Sequence, residues 1–272
     1  MIQVNELSFG YQKKQAPLFN DLNLELQAGT ICGILGKNGA GKTTFLRLVA
    51  GLLFPQKGTA SVNGHLSLER NVDMLANLFY VQEEYIFPDV KMQTYVSLNA
   101  SFYPRWDEQK FQDILLDFEL PRNKKIKELS FGQKKKFLIA FALATNCRLL
   151  ILDEPTNGLD IPSKTVFRKV VSSSLSEDQC ILISTHQVKD VANLLDRIVV
   201  IEGGKVIFNQ DLFNISSNYR FDFYPGSTKP TDYLYAEQVP GGYSVMTNHN
   251  LQNQNTDVDI EILFNAIISK SI

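Results

Sequence analysis

The stretch that decides the fold is Ile31-Cys32-Gly33-Ile34-Leu35 followed by Gly36-Lys37-Asn38-Gly39-Ala40-Gly41-Lys42-Thr43. The run from Ile31 carries no polar side chain, as a strand buried on both faces of a parallel sheet requires. The next eight residues fit the pattern GxxxxGK[ST]. Lys42 to Ala50 then sets Phe45, Leu46, Val49 and Ala50 on one side of a helix, and Gly51 is placed to end it. Strand, glycine-rich loop and helix in that order are the context a phosphate cradle needs. Glycines let backbone amides converge on phosphate oxygens, and the helix start adds partial positive charge. Lys42 is then positioned for β- and γ-phosphates, and the Thr43 hydroxyl for Mg²⁺.

Two further segments carry chemistry. Leu149-Leu150-Ile151-Leu152 is a buried strand that ends in Asp153-Glu154, and Pro155 stops it continuing. Asp153 at the strand tip suits a Mg²⁺ ion held through its water shell. Glu154 on the following turn suits the polarisation of an attacking water. Leu129-Ser130-Phe131-Gly132-Gln133 precedes Lys134-Lys135-Lys136 and an apolar run from Phe137 to Ala144. Ser130 and Gln133 form an S-x-x-Q capping box, and a helix start of this kind attracts anions. Taken alone, those five residues read as a helix cap and nothing more.

Outward from these motifs, strand-like runs occur at Ile2 to Ser8, Leu22 to Leu26, Leu78 to Gln82, Cys180 to Ser184 and Ile198 to Ile201. Helical spacing is expected over Pro162 to Leu175 and Gln187 to Leu195. Between about 88 and 128 the strand signal gives way to helix. Phe111, Ile114, Leu115 and Phe118 fall on one face, Asp107 is a candidate N-cap, and Trp106 with Phe111 forms a hydrophobic staple. After Glu202-Gly203-Gly204, strands are expected at Tyr219 to Tyr224 and Tyr233 to Val239, broken by Pro225-Gly226 and Pro240-Gly241-Gly242. Asn248 to Asn255 is a polar stretch expected as loop. Asp259 to Ser269 is expected as a helix with Ile260, Leu263, Phe264, Ile267 and Ile268 on one face.

The chain has 272 residues, 44% of them apolar, with 27 Lys+Arg against 29 Asp+Glu for a net charge of −2. That near-neutral balance argues against a general electrostatic grip on nucleic acid, and none is expected as a partner. No run approaches the roughly 18–20 apolar residues of a spanning helix. The start lacks the basic region and apolar run of a signal peptide. Cys32, Cys147 and Cys180 form no CxxC pair, so the default compartment is a reducing cytosol.

The order of the glycine-rich loop, Gln82, Leu129 to Gln133, Asp153-Glu154 and His186 resembles the nucleotide-binding subunit of an ABC (ATP-binding cassette) transporter. The pentapeptide is similar to the family signature LSGGQ, with Phe131 in place of its first glycine. The resemblance covers about residues 1–210. It implies an α/β P-loop NTPase core with a mixed, mostly parallel sheet and an N-terminal antiparallel β region. An inserted helical subdomain is expected at about 85–145, and the change in sequence texture after Gly204 makes residues 211–272 a small C-terminal α+β appendage by expectation.

For the site, the resemblance implies ATP and Mg²⁺ as cofactors. Gly36, Lys37, Asn38, Gly39, Ala40, Gly41, Lys42, Thr43 and Thr44 would hold the nucleotide, and Tyr11 would stack on adenine. Thr43, Gln82 and Asp153 would serve the metal, and Glu154, His186 and Gln82 the hydrolysis. Ser130, Gly132, Gln133 and Asp160 would act across a dimer, on ATP bound by a second subunit that is identical or a close paralogue. The implied partner is an integral membrane permease, most similarly of the ABC-2 exporter type given Tyr103 to Asp107 and the tail helix. The aromatic stretch Tyr85-Ile86-Phe87 would lie near the groove receiving that permease, or equally would be part of the core of the helical subdomain. The implied location is cytoplasmic, at the inner face of the membrane. The alternative is a soluble ABC-type ATPase of assembly or regulation, such as iron–sulfur assembly, without transport.

Overall fold

The computed structural model describes residues 1–12, 16–121, 124–248 and 257–272. In chain order the strands are β1 (Ile2–Phe9), β2 (Phe19–Leu26), β3 (Thr30–Leu35), β4 (Lys57–Val62), β5 (His65–Leu66), β6 (Leu78–Val81), β7 (Leu149–Asp153), β8 (Cys180–Ser184), β9 (Arg197–Glu202), β10 (Lys205–Asp211), β11 (Tyr219–Pro225), β12 (Tyr235–Val239) and β13 (Gly242–Asn248). The helices are α1 (Lys42–Val49), α2 (Val72–Ala76), α3 (Met92–Asn99), α4 (Glu108–Asp117), α5 (Phe131–Ala144), α6 (Ile161–Ser172), α7 (Val188–Val191), α8 (Leu212–Asn218) and α9 (Ile260–Ile268).

The apolar run from Ile31 lies within β3, in the middle of a six-stranded sheet ordered β10-β9-β3-β8-β7-β6. All neighbouring pairs are parallel except β9 with β10. Each face has its own core. Ile31 and Leu35 join Leu150, Ile181 and the helices α4 to α6 on one side. Cys32 and Ile34 join Ile151, Leu182 and α1 on the other. A strand fully buried on both faces therefore needs an apolar residue at every position, and each such aliphatic side chain contributes roughly 1.5–3 kcal/mol.

The second core is closed by an antiparallel sheet ordered β2-β1-β4-β5, where Phe19 meets Phe45 of α1 edge to face at 6.5 Å. Between β6 and β7 the chain turns helical. The Asp107 side chain accepts from the Lys110 amide at the start of α4, and Trp106 stands 5.3 Å from Phe111. Helix α5 opens with a complete capping box: Ser130 Oγ accepts from the Gln133 amide, and Gln133 Oε1 accepts from the Ser130 amide. Such a cap is worth about 1 kcal/mol.

After β10, α8 leads into a three-stranded antiparallel sheet ordered β11-β13-β12. Asp259 caps α9 by accepting from the amides of Glu261 and Ile262. The buried face of α9 joins the same core as the central sheet. Lys189 of α7 pairs with Glu261 of α9 at 2.8 Å.

Several elements differ from expectation. β4, β5 and β10 were invisible because these peripheral strands bury only part of their side chains. β13 follows the Pro-Gly-Gly break, which is a tight hairpin: Val239 pairs with Gly242, and Gly241 sits at φ +89°. The helix expected from Gln187 to Leu195 is one short turn followed by a 3₁₀ turn over Ala192–Leu194. The strand expected from Tyr233 begins at Tyr235. The polar stretch expected as loop falls, beyond Asn248, outside the described residues. Among the described residues no helix is long and apolar enough to cross a membrane.

Candidate active site

The glycine-rich loop leaves the end of β3 and turns into α1. A Cβ at Gly36 would stand 2.5 Å from the Ile201 carbonyl oxygen, so the loop can start there only with glycine. Gly41, at φ +97°, occupies the N-cap of α1 and supplies no side chain to its first-turn amides. Those amides remain for a ligand. Residues 38–44 line an open cleft of ≈ 920 Å³ together with Tyr11, Glu83, Glu154 and His186. Lys42 is only 9% exposed. Its Nζ donates to the carbonyls of Gly36 at 2.8 Å and Lys37 at 3.3 Å. Burial lowers its pKa, while the carboxylates of Glu154, Asp153 and Glu83 pull the other way. An anionic ligand in the cleft would reverse that balance in favour of the charged amine.

Asp153 ends β7 with its carboxylate buried and fully engaged. Oδ1 accepts from Thr43 Oγ1 at 3.1 Å and from Ser184 Oγ, and Oδ2 accepts from the Tyr80 hydroxyl at 2.9 Å. Burial first, then the Asp153 charge, raises the Tyr80 pKa, which keeps the phenol a donor. Among the described residues no group of three or more His, Cys, Asp or Glu could hold a metal. The oxygen pair of Thr43 and Asp153 nevertheless fits Mg²⁺, which prefers hard oxygen donors and completes its shell with phosphate and water.

Glu154 follows in the left-handed region at φ +47°. That conformation costs a non-glycine residue on the order of 1–3 kcal/mol and must be held by its surroundings. The Glu154 amide donates to the Ser184 carbonyl at 3.0 Å. Its carboxylate is gripped by His186 twice, by Nδ1 at 2.9 Å and by the backbone amide at 3.3 Å. A nearly buried carboxylate facing the cleft with an imidazole at hydrogen-bond distance is the arrangement a general base needs.

The other singled-out residues fall in different places. Tyr11 stands at the cleft mouth, 63% exposed, with its hydroxyl 2.9 Å from Thr44 Oγ1. Gly36 and Lys37 underlie the loop and border a neighbouring cavity beside α9. Gln82 is exposed and is not among the residues lining the cleft. Ser130, Gly132, Gln133 and Asp160 also lie outside it. Asp160 caps α6, and its hydrogen bonds with Ser163 hold its carboxyl below the usual range. Phe131 is 53% exposed and stacks on Tyr85 at 6.2 Å and 12°. Its ring also covers Gly158, where a Cβ would meet it at 2.5 Å. Tyr85 and Phe87 pack against the core while Ile86 between them is fully exposed.

Four site residues escaped sequence reading. Tyr80 and Ser184 are strand residues that only the sheet register brings to Asp153. Glu83 accepts from Asn157 Nδ2 at 3.0 Å, and Asn157 Oδ1 accepts from Gln187 at 3.2 Å, so a polar chain links three loops. Lys135, inside a run of three lysines, is completely buried. Burial pushes its amine down to about 8, against Glu83, Asp153 and Glu154. Its place in the period of α5, one turn before Ile139, was the available signal.

Comparison with known proteins identifies the family. The family model described as ABC transporter matches residues 19–157. The ABC transporter ATP-binding protein YtrB of Bacillus subtilis is 30% identical over 221 residues, spanning 80% of this chain and 75% of YtrB. The cobalt import ATP-binding protein CbiO of Salmonella typhi is 31% identical over 222 residues, 77% of this chain and 80% of CbiO. A solved ATP-binding subunit of an ABC transporter superposes with a TM-score of 0.71 at 25% identity, covering 79% of this chain and 91% of that one. The chain therefore belongs to the ABC transporter family, as an ATP-binding cassette with ATPase activity.

Proposed function

We propose that two copies of this cassette, or one with a close paralogue, enclose two ATP–Mg²⁺ and drive a separate membrane permease. The observation that carries the reading is the single cleft shared by the glycine-rich loop, Glu154 and His186. Residues 39–42 bind the phosphates through backbone amides and the Lys42 amine. Thr43 and Asp153 would hold the ion, which neutralises phosphate charge when bound. Tyr11 offers its ring face to adenine. Glu154, oriented by His186, takes a proton from water, and His186 and Lys42 face the charge that develops on the transferred group.

The position of Ser130, Gly132, Gln133 and Asp160 outside their own chain's cleft supports the paired arrangement. Groups displayed away from the nucleotide of one chain are available to that of another. We also propose a division into a cassette of residues 1–210, with its helical subdomain at about 85–145, and an appendage of 211–272 that packs on α7. The match to a transporter family supports transport over soluble assembly work. Direction is argued from Tyr103 to Asp107 and the tail helix, which favour export, although CbiO is named for import. On this reading the chain works at the cytoplasmic face of the membrane, and Ile86 is the exposed apolar contact for the permease.

Three outcomes are expected. Glu154→Gln should bind ATP as wild type does and lose steady hydrolysis by about a hundredfold or more, read as phosphate release; wild-type turnover would remove Glu154 from the role. Phe131→Gly, made in the Glu154→Gln background, should weaken ATP-induced dimerisation about tenfold, because a half-exposed ring and its stack on Tyr85 are lost. Gel filtration with ATP measures this, and an unchanged or tighter dimer would contradict it. Ile86→Glu should leave the ATPase activity of the isolated protein intact and abolish its retention on membranes containing the permease. Retention equal to wild type would count against docking there.

A further inference from the structure

Lys135 sits on the second turn of α5, and no part of its side chain reaches solvent. Burying an ammonium group is costly unless its protons are matched. Here Nζ lies 2.9 Å from the Glu83 carbonyl, 3.4 Å from the Gln82 carbonyl and 3.5 Å from the Glu154 carbonyl. A lysine ammonium has three donors, and three backbone acceptors surround this one. The Tyr85 ring closes the remaining side, 5.3 Å from Nζ to its centroid. Among the described residues no carboxylate oxygen forms an ion pair with Lys135.

The three carbonyls belong to two different turns. Gln82 and Glu83 follow β6, and Glu154 follows β7. A cation at the centre ties both turns to the helix that begins with Ser130. Glu154 is the residue whose left-handed backbone needs outside support. Its amide is fixed by Ser184 and its carboxylate by His186. Lys135 supplies the third hold, on its carbonyl.

We propose that Lys135 is a positioning residue that fixes the Glu154 turn and the Gln82–Glu83 turn to α5, so that the aim of the Glu154 carboxylate depends on where α5 lies. The consequence is mechanical. A displacement of α5 or of the turn beside Tyr85 is passed through one ammonium group to the general base. ATP itself is not touched, so affinity for the nucleotide is independent of the clamp.

The inference rests on the reading of Glu154 as the base, and the test separates the two. Lys135→Met keeps the buried stem and removes the donors. It should lower kcat at least about tenfold, since small misplacements of a reacting group carry penalties of that order and above. KM and the Kd for a non-hydrolysable ATP analogue should stay within about twofold of wild type. Lys135→Arg, which keeps a cationic donor on that side chain, should recover part of the loss. Val62→Ala, a core change on β4 in the other core cluster and away from α5, reports what destabilisation alone does and should leave kcat unchanged at a comparable fall in Tm. If Lys135→Met does not fold, Lys135→Gln carries the same comparison. Wild-type kcat in Lys135→Met beside an inactive Glu154→Gln would overturn the inference alone. A loss of kcat matched by Val62→Ala, or a loss confined to KM, would also overturn it. Wild-type turnover in Glu154→Gln would overturn the reading of the base and the inference with it.

Discussion

The parallel register of β3, β6, β7 and β8 is the constraint on which the rest depends. Ile34 pairs with Ser184, Asp153 with Ser184, and Val81 with Leu152. Four strands thus end level at one edge of the sheet. The glycine-rich loop, the Gln82–Glu83 turn, Glu154 and His186 are each within a few residues of those ends. Chemistry that is scattered over about 150 positions of chain is brought together by hydrogen bonds of the backbone alone, in the crevice beyond the carboxyl ends of the strands. Each strand can hold that register because its two faces are filled by two separate cores.

On this platform, charge balance decides how the site rests. Asp153, Glu154 and Glu83 press negative charge on the cleft, and Lys42 and Lys135 answer it. Both amines are buried enough that desolvation outweighs the carboxylates and lowers their pKa. Their partners are mostly backbone carbonyls, which neither move far nor titrate. Lys42 can exchange its carbonyls for phosphate oxygens because it lines the open cleft. Lys135 is enclosed and keeps its partners, so on the proposed reading one lysine serves the ligand and the other the scaffold.

The central strands and the phosphate loop were legible in the sequence because burial on both faces forces continuous apolar runs, and because glycine at 36 and 41 answers a local backbone demand. The caps at Ser130 and Asp107 were legible as well, since capping is decided by three or four adjacent residues. The peripheral strands β4, β5 and β10 were not, because they bury few side chains or none, and a strand without a buried face carries little apolar alternation. Tyr80, Ser184, Glu83 and Lys135 escaped for another reason. Each acts only through a partner placed by tertiary structure, and nothing adjacent in sequence marks it. Phe131 stood out as an anomaly, but its stacking on Tyr85 and its cover over Gly158 required coordinates.

The central claim is that the amides at the start of α1 and the Lys42 amine together form the seat of the triphosphate. Calorimetric titration of ATP–Mg²⁺ into Lys42→Ala and wild type tests it most directly. The account predicts that the variant keeps the wild-type melting temperature without nucleotide and loses at least about tenfold in affinity, or roughly 1.4 kcal/mol. Equal affinity in the two proteins would contradict it.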